Sequence, residues 1–219
     1  MLSKKSLLTA SSQPVFRLAS VADEAARVVF AREQFAFLLQ LAYSGELAAT
    51  RAYLGHRHSL KSRLERAEIG KIIRDEIRHR RCLLDMLAEV GSAPDPGRER
   101  KMERVGRAIS LFCHVGGWFF AMYGAGRLEA QNIREYELGA RLAHLAELHR
   151  FIDSLLEMAE VEWDHERYFR SKAMSHWLWR MVPNWAEPPP RERIRVAFRE
   201  FESKAELPVL RVRAPRLVR

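Results

Sequence analysis

Glu-x-x-His occurs twice in the chain, as Glu76 to His79 and as Glu162 to His165. Residues three apart on an α-helix lie about 60° apart around its axis, so each pair offers a carboxylate and an imidazole to one point. Each pair could hold one metal ion. The pattern alone is weak, because a chain rich in Glu and His produces it by chance. Two further acids, Glu46 and Glu129, strengthen it, since each lies on the helix-patterned segment that precedes one of the pairs. Glu46 and Glu76 are 30 positions apart, so an antiparallel helix pair that turns midway turns near residue 61. Independently, Ser62 with Glu65 is a capping-box pattern, a signature of a helix start. Glu129 and Glu162 are 33 apart, which puts their turn near residue 145. Each helical arm is then about 15 residues, or ~22 Å, long.

A bundle that supplies one Glu from each of two helices and Glu-x-x-His from each of the other two builds a carboxylate-bridged di-iron site. The expected assignment has Glu76 and Glu162 bridging, Glu46 with His79 on one iron and Glu129 with His165 on the other. Four carboxylates neutralise two ferrous ions, and carboxylate with imidazole suits iron or manganese better than thiolate-preferring metals. The bland reading of Glu46 and Glu129 is a solvated surface acid, which fits poorly with apolar neighbours such as Leu41-Ala42 and Leu47-Ala48-Ala49. Tyr53 and Tyr136 each follow one of these acids by seven, about 20° short of two full turns. They face the site either as hydrogen-bond donors to its ligands or as core aromatics. His56, His58, His114, His144, His149 and His176 lack such a partner and read as capping or surface groups. Met122 and the run Trp118-Phe119-Phe120 read as core before they read as a substrate channel.

The elements that must position these residues are helical. Apolar residues recur with helical spacing from Asp23 to about Arg57, through Val28, Val29, Phe35, Leu38, Leu39 and Ala42. A second helix opens at Ser62, carries Ile69, Ile72, Ile73, Leu83, Leu84 and Leu87, and stops at Gly91. Gly91 to Gly97 is a loop, and a basic segment from Arg98 leads into the longest apolar run, Ile109 to Gly126. That run holds His114 and Gly116-Gly117 and sits at the lower limit for a membrane span, so it is expected as one buried or interfacial helix. Gly124-Ala125-Gly126 is its expected interruption. A poorly marked turn between His144 and Arg150 precedes a final helix that ends before Pro183. The nine Pro fall mostly in three clusters, a pattern that favours an all-α architecture over a sandwich or barrel with regularly recurring turns.

With 47% hydrophobic and 30% charged residues the chain is neither disordered nor fibrous. Its two cysteines, Cys82 and Cys113, exclude a disulfide framework and any four-cysteine metal site, and a reducing compartment is the default. The net charge of +9 is concentrated toward the C-terminus. The chain divides into an N-terminal arm (1–22), a helical domain (23–175) and a Trp- and Arg-rich extension (176–219). The arm, basic and Ser-rich, has either the composition of a transit peptide or that of a disordered bacterial arm, and no export is implied. The extension reads first as a solvated tail. Trp177, Trp179 and Trp185 with Arg180 make an anionic membrane surface its better partner, since no nucleic-acid-binding motif accompanies the arginines.

Four segments together resemble the demethoxyubiquinone hydroxylases of the ferritin-like superfamily. Gly45-Glu46 followed by Arg51, Tyr53 and Gly55 is similar to that family's first motif, and Glu76-Ile77-Arg78-His79 to its second at the family's spacing. Glu129 with Ile133 and Tyr136 resembles the third, and Glu160-x-Glu162-Trp163-Asp164-His165 the fourth. The resemblance spans Phe37 to Phe169. It departs in the third motif, where the family has paired acids and a His-Tyr and this chain has Glu129-Ala130 and Glu135-Tyr136. The extension has no counterpart in that family.

The resemblance implies a ferritin-like four-helix bundle with an extra apolar helix and two non-haem iron ions. It implies a monooxygenase that hydroxylates a quinone-type or other apolar substrate with O2 and electrons from an external donor, as in ubiquinone biosynthesis. The expected place is the cytoplasm, at the inner face of a membrane, or the mitochondrion in a eukaryote. The alternative is a ferritin- or rubrerythrin-like protein that handles iron or reduces peroxide at the same site. Rubrerythrin proper needs a four-cysteine iron that this chain cannot build.

Overall fold

The computed structural model describes residues 15–16, 24–204 and 210–211. Apart from a two-residue antiparallel pairing of Val15–Phe16 (β1) with Leu210–Arg211 (β2), the described residues that are regular are helical. The helices are α1 (Glu24–Ser59), α2 (Arg63–Glu89), α3 (Pro96–Val115), α4 (Trp118–Leu145), α5 (Ile152–Met174) and α6 (Arg193–Lys204), with short 3-10 turns at His149–Phe151 and Trp177–Met181. The expected arm, 1–22, lies outside the described residues save for β1, and so does most of the chain after Lys204.

Four helices form the bundle. The α1–α2 hairpin and the α4–α5 hairpin pack side by side, α1 against α4 and α2 against α5, while α3 crosses between the hairpins on the outer side of α1. Ser62 caps α2 by accepting from the Glu65 backbone N–H at 3.3 Å. The Glu65 side chain does not close the box. It accepts from Trp118 Nε1 at 3.1 Å and pairs with Lys172 Nζ at 3.3 Å, tying the start of α4 and the end of α5 to α2. Asp95 caps α3 through the Gly97 and Arg98 N–H groups, with Pro96 in the first turn where its missing N–H costs nothing.

The α1–α3 contact depends on two glycines. A Cβ on Gly106 would sit 2.7 Å from the Ala48 carbonyl oxygen, and one on Gly55 2.5 Å from Ser110 Cα. Close backbone approach is therefore what Gly55 supplies within its motif.

Two expectations are corrected. The apolar run Ile109 to Gly126 is not one helix. It breaks at Gly116-Gly117, where Gly117 takes φ 84°, a left-handed value that disfavours any residue with a Cβ, and Gly124-Ala125-Gly126 continues inside α4. The two halves differ in environment: Phe119, Met122 and Ala125 are buried, whereas Ile109, Leu111, Phe112 and Val115 face outward, Leu111 68% and Val115 78% exposed. The last bundle helix ends before Pro183, as expected, at Met174. His176 then caps the short turn Trp177–Met181 by accepting from the Leu178 N–H at 3.2 Å while stacking on Phe119.

Second, the extension through Lys204 is not a solvated tail. Ile194 and Phe198 of α6 are buried in the same core as Leu155, Phe151 and Ala143. Between the short turn and α6, residues 182–192 form a strap along α5. Trp185 Nε1 donates to Glu166 Oε1 at 2.8 Å, Arg170 donates to the Ala186 carbonyl at 3.0 Å, Trp163 Nε1 donates to the Pro189 carbonyl at 2.8 Å, and Tyr123 donates to the Pro183 carbonyl. Trp179 and Trp185 pack edge to face on one another, leaving Trp177 as the outward tryptophan of the three.

The turn at His144 to Arg150 is weakly marked because a glutamate occupies the position where helices usually end on glycine. Glu147 has φ 59°, and the Leu148 N–H closes back on the Ala143 carbonyl at 2.8 Å.

Candidate metal centre

The six residues singled out by spacing converge at the middle of the bundle. Glu46 comes from α1, Glu76 and His79 from α2, Glu129 from α4, and Glu162 and His165 from α5, and all six are buried. They form two overlapping groups, Glu46, Glu76, His79 and Glu162 in one and Glu76, Glu129, Glu162 and His165 in the other. Within each group one ligand atom per residue lies within 4.8 Å of every other, a span that admits one cation, and Glu76 and Glu162 belong to both.

Both imidazoles turn Nδ1 inward. His79 Nδ1 is 3.0 Å from Glu162 Oε1 and 3.9 Å from Glu46 Oε1, and His165 Nδ1 is 3.4 Å from both Glu76 Oε1 and Glu162 Oε2. These are ion-pair distances without hydrogen-bonding orientation. Glu46 Oε2, both Glu76 oxygens and both Glu162 oxygens are buried with no hydrogen-bond partner. Buried carboxylate oxygens without donors cost several kcal/mol, on the order of the penalty for any unpaired buried ion, unless a cation compensates them.

The electrostatics carry the same strain. Burial, and then the charge of Glu76, push the Glu46 carboxyl well above the usual carboxylate range. Burial, then Glu162 and Glu76, do the same to Glu129. Burial works in that direction on Glu162 too, but its contacts with His165 and His79 outweigh it and hold Glu162 low. For His165, burial opposes protonation while Asp75 and the surrounding glutamates raise its affinity for a proton well above the ordinary value. The cluster is thus a set of anions that attract positive charge, here protons.

Tyr53 and Tyr136 do reach the ligands, and they do so crosswise. Tyr53 on α1 donates to Glu129 on α4, and Tyr136 on α4 donates to Glu46 on α1. Burial and then the adjacent carboxylate hold each phenol well above its usual range, so both stay donors. Each hydroxyl leaves the second oxygen of its glutamate to face elsewhere.

Several functional neighbours were not singled out by spacing. Asp75 Oδ2 lies 3.3 Å from His165 Nε2, on the side of the ring away from the cluster, and that contact holds the Asp75 carboxyl below its ordinary value. Its signal in the sequence is its place directly before Glu76, which turns it toward the neighbouring helix. Asn132, one turn after Glu129, donates to Glu129 Oε2 at 3.0 Å. Glu166, directly after His165, is fully buried and held by Arg170 at 2.6 Å and by Trp185. The spacing of Arg170 four residues on is the local signal for Glu166, whereas its second partner Trp185 is 19 residues away in the extension. Glu135, at the departure from the resembling family, has its carboxyl pushed up to about 7 by burial and then by the Glu162 charge.

Of the remaining histidines, His58, His114, His149 and His176 follow their reading as capping or surface groups, whereas His56 and His144 are packed against other elements and depart from it. His176 is a cap, His144 packs against Phe198 and Phe201 and pairs with Glu202 at 3.6 Å, and His58, His114 and His149 are exposed. His56 is buried, stacked on Phe169, with its Nε2 unpartnered. Among the described residues, no helix is long and apolar enough to cross a membrane. The chain matches no protein-family model, no curated protein and no solved structure.

Proposed function

We propose that the buried cluster is a di-iron carboxylate centre in a ferritin-like bundle, and that the protein is an oxidoreductase that uses it. The observation that carries this reading is the pair of overlapping four-residue groups sharing Glu76 and Glu162, with five buried carboxylate oxygens lacking any donor. A stability role does not account for it, since a core of packed apolar residues would cost less than four buried carboxylates. The oxygen-rich donor set with two imidazoles and no thiolate fits iron, with manganese as the chemical neighbour. Two helical hairpins joined by one long crossover, here the segment containing α3, is also the connectivity of ferritin-like bundles.

When bound, two irons would supply reducing equivalents to O2 and so oxygen-atom transfer chemistry. The chain's own residues would bind and orient. Glu76 and Glu162 would join the two positions, Glu46 with His79 and Glu129 with His165 would complete them, and Tyr53 and Tyr136 would fix the two outer glutamates. The resemblance to demethoxyubiquinone hydroxylases selects hydroxylation of a quinone-type or other apolar substrate, with electrons from an external donor. An anionic lipid surface is the matching source of such a substrate. The surface that fits it is the outward stripe of α3 with Lys101, Arg104 and Arg107 followed by Leu111, Phe112 and Val115, and not the tryptophans of the extension, two of which are turned inward.

The test has two stages. Protein reconstituted anaerobically with ferrous iron should hold about two irons per chain, as the two ligand groups require. The reduced protein, given isotopically labelled O2 and quinone precursors, should then yield labelled hydroxylated product by mass spectrometry. Iron mineralisation or peroxide turnover without labelled product would move the activity to iron handling and leave the centre standing.

A further inference from the structure

The two halves of the cluster repeat one another in register. Glu46, Tyr53, Glu76 and His79 on α1 and α2 correspond to Glu129, Tyr136, Glu162 and His165 on α4 and α5, and each tyrosine braces the glutamate of the other half. That repetition exposes two differences. Glu129 has both oxygens held, by Tyr53 and by Asn132, whereas Glu46 is held by Tyr136 alone and its Oε2 is buried without a partner. The position on α1 that matches Asn132 is Ala49, which has nothing to donate.

The imidazoles differ in the same sense. His165 has Asp75 Oδ2 at 3.3 Å behind its Nε2, a carboxylate aligned with the outer nitrogen of a ligand ring. His79 is 1% exposed and its Nε2 meets no partner, its ring lying against the Tyr136 ring edge to face at 5.7 Å between centroids. Asp75 precedes Glu76 on α2; the matching position before Glu162 on α5 is Val161, so His79 receives no carboxylate.

Resting on the two-metal reading, we propose that the two positions are unequal: the Glu129–His165 position, whose histidine is braced by Asp75, is filled first and more tightly, and the Glu46–His79 position second. A carboxylate behind a ligating histidine fixes the ring and its tautomer and makes the inner nitrogen a stronger ligand, and losing such a partner typically costs about 10–100-fold in metal affinity. The tyrosines cancel, one on each side. Asn132 alone works the other way, by drawing charge from Glu129, but one neutral amide donor is weaker than an anionic partner on the histidine. Asp75 is therefore the positioning residue that sets the order of filling.

The experiment is a titration of the full-length apo protein with Mn(II) under argon, followed by electron paramagnetic resonance and by calorimetry. With unequal positions the first equivalent gives an uncoupled six-line mononuclear signal, and the second converts it to an exchange-coupled one. Asp75→Asn should weaken the first step by about 10–100-fold and leave the second nearly unchanged, so that mononuclear signal is lost at half-filling. Asp75→Glu should restore part of the gap. Asp75 is partly exposed at the rim of the cluster, so these variants should fold, and far-UV circular dichroism checks it. Glu68→Gln, an exposed change on the same helix, should leave both steps as they are. A coupled signal from the first additions in the wild type, or a first step unmoved by Asp75→Asn while two ions still bind, would overturn the inference and leave the two-metal reading intact. Failure of the wild type to bind any metal would overturn both.

Discussion

Replacing a carboxylate that belongs to both candidate ligand groups should separate the stability of the fold from that of a loaded centre. Glu76 is fully buried, belongs to both ligand groups, and has two oxygens without donors. In the apo protein its charge is a burden, because it raises the proton affinity of Glu46 and of Glu129. Glu76→Gln keeps the shape and removes the charge, so the apo variant should be as stable as the wild type or more stable, by about 1–3 kcal/mol. With metal the order reverses. An ion at a hundred times its dissociation constant stabilises the folded state by about 2.7 kcal/mol, so two contribute about 5 kcal/mol. For a domain of this size each kcal/mol moves the melting temperature by about 2–4 °C, so ferrous iron should raise that of the wild type by about 10–20 °C.

Glu76→Gln should lose most of this rise, because the residue serves both positions. Glu46→Gln should lose about half, because it serves one. Thermal unfolding by circular dichroism, anaerobic, with and without ferrous iron, reads all of these. A metal-dependent rise in Glu76→Gln equal to that of the wild type would refute the shared-ligand geometry. An apo Glu76→Gln that melts well below the apo wild type would refute the view that the carboxylate is held in place for a cation.

His56 should confer a pH dependence of its own. Burial holds its imidazole down at about 4 against an ordinary 6.5, so the unfolded chain binds a proton that the folded one refuses. Its contribution is complete above about pH 6.5 and is lost as pH falls from there toward 4, by about 2–3 kcal/mol near pH 4.5. Urea unfolding of wild type and His56→Phe, which keeps a ring on Phe169, should diverge by that amount between pH 7.5 and 4.5, and parallel curves would reject it. The strap should detach as a unit. Gly126→Ala places a Cβ 2.7 Å from the Trp185 ring and 3.2 Å from Phe169 Cβ, and should cost about 1–3 kcal/mol and open residues 182–192 to limited proteolysis. On vesicles containing anionic lipid, Leu111→Glu with Phe112→Glu should abolish cosedimentation while leaving the fold intact, and Trp177→Ala should weaken it little. The opposite ranking would return the membrane surface to the extension.

The four bundle helices and the six inward residues were legible in the sequence because their evidence is local. Glu-x-x-His is a statement about one helical turn, the capping Ser62 lies one residue past the midpoint between Glu46 and Glu76, and the tyrosines stand seven residues after Glu46 and Glu129. Periodicity places such groups on a face without knowing what faces it. It could not show that Tyr53 and Tyr136 serve the glutamates of the opposite hairpin, because that exchange depends on α1 and α4 lying side by side.

Composition misjudged the two segments whose environment is set by packing. The run Ile109 to Gly126 is predominantly apolar, yet Gly117 bends the chain so that one half enters the core and most of the other stays in solvent. The extension is rich in Arg and Trp, as a surface tail would be, yet Arg170 and Glu166 of α5 receive Trp185, and Glu160 receives Arg195 at 2.8 Å. Whether an arginine is solvated or paired is decided by what another element brings within hydrogen-bond reach. The proposed inequality of the two candidate metal positions belongs to the same class. Asp75 and Asn132 are ordinary polar residues in the sequence, and only the crossing of α2 with α5, and the turn that Asn132 shares with Glu129, brings them to bear on ligands.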